Sequence, residues 1–95
     1  AAPLAPENVM IAGAVQPSTR LKWEAVKDEN IIGYKIYWRD TTSPQWQYSR
    51  FVGNISDYTL KNIIIDNYFF GVSSVGENGA ESLIQFPRKL IPSGM

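Results

Sequence analysis

Apolar residues in this chain recur at every second position, the spacing of β-strands with one buried and one wet face. Along Arg20-Leu21-Lys22-Trp23-Glu24, Leu21 and Trp23 alternate with charged neighbours. Ile32, Tyr34, Ile36 and Trp38 are expected to share one face of a second strand, with Lys35, Tyr37 and Arg39 on the other. Tyr68, Phe70 and Val72 repeat the pattern over residues 68–74. Further strands are expected at 8–12, 46–52, 58–60 and about 81–86. No run shows the three-or-four spacing of an amphipathic helix. Turn residues punctuate the chain at 27–30, 41–44 and Gly53-Asn54. Asn78-Gly79 is a hairpin signal, because such turns need positive φ angles. Seven short antiparallel strands at intervals of about 8–12 residues describe an all-β, immunoglobulin-like β-sandwich.

Ninety-five residues suit one domain, since two would each fall below the size at which a core sustains itself. At 44% hydrophobic and 13% aromatic residues, that core has ample material. The domain is expected to occupy 7–87. Residues 1–6, with Pro3 and Pro6, read as an N-terminal linker, and 88–95, with Pro92 and Gly94, as a C-terminal tail. The chain opens Ala1-Ala2-Pro3 rather than with methionine, so it is expected to be a piece or a processed form of something longer. Nine basic and nine acidic residues cancel, leaving no basic surplus to release counterions from nucleic acid. The longest apolar runs, Ile63-Ile64-Ile65 and Tyr68-Phe69-Phe70, are far too short to span a bilayer. Neither nucleic acid nor membrane insertion is expected, and the isolated domain is expected to be a monomer.

The chain contains neither histidine nor cysteine. That removes the commonest general base and zinc ligand, the thiolate nucleophile and any disulfide. Asp28, Glu29, Asp40, Asp57 and Asp66 fall in or beside turns, where such carboxylates usually cap their own backbone. They lack the density of a calcium loop. Gly76-Glu77-Asn78-Gly79 has no following Lys-Ser/Thr or helix, so it reads as a hairpin rather than a phosphate cradle. Asn54-Ile55-Ser56 fits the N-glycosylation pattern, which also arises often by chance. No catalytic, metal or cofactor-binding residue is expected.

The aromatics divide by phase. Leu21, Trp23, Tyr34, Ile36, Tyr68, Phe70 and Val72 are the expected structural core, each large side chain contributing on the order of 1.5–3 kcal/mol when buried. Tyr37 and Phe69 point the other way, with Lys35 and Arg39 beside them, and Tyr48 is expected on the adjoining strand. These five form a candidate interaction surface for a protein or a carbohydrate. The alternative is cross-strand stabilisation, worth roughly 0.2–1 kcal/mol per pair.

In order and spacing, residues 6–87 resemble a fibronectin type III domain. The resemblance rests on Leu21-x-Trp23, Gly33-Tyr34-x-Ile36-x-Trp38-Arg39, Trp46, Tyr58-x-Leu60, Tyr68-x-Phe70-x-Val72 and Asn78-Gly79-x-Glu81-Ser82. It implies that Tyr68 is a corner tyrosine whose hydroxyl bonds back to upstream backbone. Three segments, 13–17, 37–42 and 66–72, further resemble the C-terminal accessory domain of bacterial zinc aminopeptidases. That similarity implies a non-catalytic spacer or docking domain of a larger bacterial enzyme, secreted or in the cell envelope, with its zinc held elsewhere. The implied partner is a neighbouring domain of the same polypeptide. The alternative remains a carbohydrate- or protein-binding module using the outward aromatics.

Overall fold

The structure is a computed structural model and describes residues 3–13 and 17–89. In chain order it contains β1 (Glu7–Gly13), β2 (Ser18–Glu24), β3 (Ile31–Asp40), β4 (Tyr48–Gly53), β5 (Asp57–Lys61), β6 (Tyr68–Gly76) and a two-residue β7 (Arg88–Lys89). A 3-10 turn at Ile65–Asn67 leads into β6, and the described residues contain no α-helix. One sheet has the order β5-β2-β1-β7 and the other β4-β3-β6. Their inner faces meet in a sandwich.

The core is the period-two set of the sequence brought together from both sheets. Leu21, Tyr34, Ile36 and Val72 are fully buried, and Trp23, Trp38, Phe70, Leu60, Val9 and Ile11 nearly so. Tyr68 is partly buried and packs against this cluster. The Trp23 and Tyr34 rings sit 5.3 Å apart and tilted. Two buried polar groups find partners across the fold: the Thr19 hydroxyl donates to the Ile63 carbonyl at 2.8 Å. The Val26 amide donates to the Tyr34 hydroxyl at 2.7 Å. Among the described residues, no hydrogen bond ties the Tyr68 hydroxyl to backbone; the ring instead meets Phe70 and Tyr48 edge-on. Asn78-Gly79 makes the expected turn, with Gly79 at φ +85° and its amide bonded to the Gly76 carbonyl at 2.9 Å.

Three local expectations are corrected. The described residues do not form seven antiparallel strands. Six strands of five residues or more are antiparallel, and the short β7 runs parallel to β1 through Met10↔Arg88 and Ile11↔Lys89. Residues 81–86 form no continuous strand: they meet β6 at the isolated bridges Val75↔Glu81 and Val72↔Gln85, with one further backbone bond from the Ser82 amide to the Ser74 carbonyl at 2.9 Å. A physical reason lies at Ser82, whose hydroxyl accepts from the Ser74 amide at 2.8 Å and donates to the Leu83 carbonyl. A side chain thereby takes a place that ladder backbone would fill. Finally, a bulge between Ile31 and Gly33 shifts the β3 phase. Ile31 enters the core at 5% exposure, and Ile32 is left 47% exposed.

Candidate functional site

Alternation in β3 sends Lys35, Tyr37 and Arg39 to the outer face of the three-stranded sheet. The register with β6 then places Lys35 opposite Ser73, Tyr37 opposite Gly71 and Arg39 opposite Phe69. The Arg39 guanidinium lies 4.9 Å from the Phe69 ring centre and 5.3 Å from that of Trp46. It is thus held by two rings, and its Nη1 donates to the Ser43 carbonyl. Trp46 in turn sits 6.0 Å from Tyr37 and stacks on Phe86 at 6.0 Å.

Gly71 makes this layer possible. A Cβ there would come within 3.3 Å of the Trp46 ring and 2.3 Å of Ile84 Cγ2, so only a bare backbone admits both. The segment 81–86 runs along the free edge of β6, bonded to it at Ser82 and Gln85, and lays its Glu81 and Ile84 side chains over the outer sheet face as a strap. Glu81 fastens its beginning: it accepts hydrogen bonds from the Tyr37 hydroxyl and from Ser73 Oγ at 3.0 Å, and lies 3.6 Å from Lys35 Nζ. Lys35 also stands 5.5 Å from the Tyr37 ring centre.

The electrostatics follow from this packing. Partial burial pushes the Glu81 carboxyl up, but bonds from Tyr37 and Ser73 with the nearby Lys35 outweigh it and hold it below the usual range. The Tyr37 hydroxyl is pushed up to about 12, first by burial and then by its bond to Glu81 and that carboxylate's charge. On the other sheet Asp57 is held low by the hydrogen bond from Arg20, at an exposed pair. Asp28 caps its own turn, accepting from the Asn30 amide at 2.9 Å. Among the described residues no three carboxylates gather around a common point.

Four of the five expected surface residues share this face: Lys35, Tyr37, Arg39 and Phe69. Tyr48 does not. The register pairs it with Trp38, so its ring lies on the inner side at the sheet margin, stacked 5.7 Å from Trp38 and 45% exposed. Trp46 takes the outer place instead. Phe86 (67% exposed), Leu83 (82%) and Phe51 (51%) extend the apolar surface beyond the expected set. Once Trp38 is paired with Tyr48, the odd-numbered β4 residues face outward, which identifies Phe51. A cleft of about 360 Å³ opens beside Arg39 and Phe69, lined also by Thr41, Asp66, Tyr68 and Phe86. The arrangement holds cations on rings and one ionised carboxylate in a network. It suits contact with another surface: the one hydroxyl–carboxylate contact in it besides that of Tyr37, Ser73 to Glu81, joins a carboxylate held below its usual range, which weakens it as a base.

This geometry is that of the fibronectin type III fold, an all-β sandwich found in many proteins of unrelated function. The fn3 domain of human collagen alpha-1(XX) chain superposes with a TM-score of 0.72 at 19% identity, over 100% of this chain and 92% of that one. An Fn3-like protein from Clostridium thermocellum gives 0.68 at 19% identity, over 98% and 99%. No family model matches the sequence. More specific are the curated relatives. A "Probable zinc metalloprotease" of Pyrenophora teres f. teres is 37% identical over 91 residues, covering 90% of this chain and 20% of that protein. A protein of Leptosphaeria maculans with the same description is 38% identical over 87 residues, with 90% and 20% covered. The chain thus spans about a fifth of the length of the curated relatives it matches. These relatives are fungal, whereas the parent expected from the sequence was bacterial.

Proposed function

We propose that this chain is a non-catalytic accessory module of a larger, extracytoplasmic zinc metallopeptidase, docking its outer aromatic face on a neighbouring domain of the same polypeptide. One observation carries this reading. Arg39 lies between Phe69 and Trp46, and Phe69 and Phe86, which line one cleft with it, remain 47% and 67% exposed. A pre-ordered aromatic and arginine cluster ringed by exposed apolar groups is typical of the energetic centre of a protein interface. Support for the parent comes from the metalloprotease relatives, in which the matching segment is a small part. The finer assignment to an aminopeptidase rests on the three short segments at 13–17, 37–42 and 66–72. The first includes residues 14–16, which lie outside the described residues.

A sugar platform fits less well, because it needs open ring faces. Here Phe86 and Arg39 stand over Trp46, and Arg39 over Phe69. The test is Phe69→Ala with Phe86→Ala in the parent polypeptide. The expected result is faster limited proteolysis between domains and a lower melting temperature for the whole protein, while the isolated chain melts within a few degrees of wild type. A parent whose activity and proteolysis are unchanged by the pair, or an isolated chain that hydrolyses peptides, would refute it.

A further inference from the structure

We propose that the free edge of β4 and the cleft behind it form a docking site for an extended, acidic segment of another protein, added to the sheet as a further strand. The site is separate from the Trp46, Phe69 and Phe86 patch and does not depend on the docking role given to that patch.

The other sheet margins are blunted. The free side of β6 is met by the bridges to Glu81 and Gln85, and β7 has two residues. β5 has charged residues at both ends, Asp57 and Lys61, and Asp57 is tied to Arg20. β4 is different. It runs six residues, Tyr48–Gly53, and pairs with β3 alone among the described residues. It contains no proline, lysine or inward-pointing charge of the kind that protects natural edges, apart from Arg50. Two half-exposed rings flank it on opposite faces, Tyr48 at 45% and Phe51 at 51%. An open row of backbone N–H and C=O groups is satisfied by water or by another extended chain, and flanking side-chain sites then set which chain is accepted.

Charge selects the class of partner. Between the β4 and β5 margins lies a cleft of about 400 Å³, lined by Trp38, Leu60, Ile63, Tyr58, Arg50 and Lys61. Neither Arg50 nor Lys61 has an ion pair among the described residues. Arg50 is opposite Ile36 in the register, so it belongs to the inner side of the sheet, over this cleft. A strand added to β4 sends alternate side chains the same way. Acidic residues at those positions meet Arg50 and Lys61, and apolar residues between them lie beside Phe51. A second copy of this chain is a poorer occupant, since it brings one cationic edge to another.

The experiment titrates the 95-residue chain with the acetylated, amidated peptide Glu-Val-Glu-Val-Glu-Val-Glu, following backbone amide shifts and hydrogen exchange. The expected result is shifts and slowed exchange at residues 49–52. Arg50→Glu, or separately Lys61→Glu, weakens binding by roughly tenfold, as does exchanging the peptide's glutamates for lysines. Four outcomes overturn the proposal: no shifts at millimolar peptide, shifts that map to Phe69 and Phe86, equal affinity for the lysine peptide, or peptide-free self-association that protects the same amides.

Discussion

Replacing Tyr37 with phenylalanine keeps the ring beside Trp46 and Lys35 and removes only the hydroxyl that donates to Glu81. That hydroxyl ionises at about 12 in the folded protein, against about 10 for a tyrosine in an unfolded chain. By linkage the difference corresponds to roughly 2.7 kcal/mol. The ring is only partly buried, so solvent screening reduces the expected contribution to about 1 kcal/mol. The sign follows from the direction. A folded-state value raised above the unfolded one means the stabilisation is fully present below about pH 10. It is lost as pH climbs toward about 12. Urea unfolding of wild type and Tyr37→Phe is the assay, at about pH 8 and at steps upward. Wild type should be the more stable by about 1 kcal/mol at the lower end, and the gap should close through the alkaline range. Ultraviolet titration of wild type against Tyr37→Phe should show the loss of one tyrosine that ionises at about 12. A gap that is absent at about pH 8, or one that stays constant to high pH, would show that the Tyr37–Glu81 contact contributes nothing in solution.

Two further substitutions test the packing. Trp23→Ala removes a ring 5% exposed and should cost about 3–5 kcal/mol. The Trp23 Nε1 has no hydrogen-bond partner among the described residues, so truncation also relieves an unsatisfied donor and the loss should fall near the lower figure. A loss under about 1 kcal/mol in denaturant unfolding would place Trp23 outside the core. Gly71→Ala forces Ile84 and Trp46 away from the sheet and should cost about 1–3 kcal/mol, despite the ordinary gain from replacing a strand glycine. Adding Ile84→Ala should restore part of that loss, and a strictly additive pair would refute the strap's contact with Gly71.

Much of the fold was legible because burial in a strand is periodic and local. The alternation at 20–24, 34–38 and 68–72 needed no knowledge of what each strand pairs with, and its apolar members line the core. The outward position of Lys35, Tyr37, Arg39 and Phe69 followed from the same parity. Composition is equally independent of shape: the chain has no histidine and no cysteine, so no site on it can use an imidazole or a thiolate.

Other features depended on partners far away in sequence. Whether Ile31 or Ile32 enters the core is decided by a bulge against β6, and bulges leave no period in the residues themselves. The face taken by Tyr48 rests on its pairing with Trp38. A register slip of one residue reverses every side chain on a strand, and here the irregular stretch 41–47 sets it. The strap at 81–86 holds no continuous ladder: backbone bonds at Ser82 and Gln85 are interspersed with contacts from the Glu81, Ser82 and Ile84 side chains. Trp46 and Phe86, 40 residues apart in the numbering, become one stack only when β3 and β6 bring the strap across Gly71. Sequence alone thus determined which residues are buried in a regular strand, because that period is local. Tertiary structure alone decided how the outward residues combine, because pairing register and side-chain stacking are non-local.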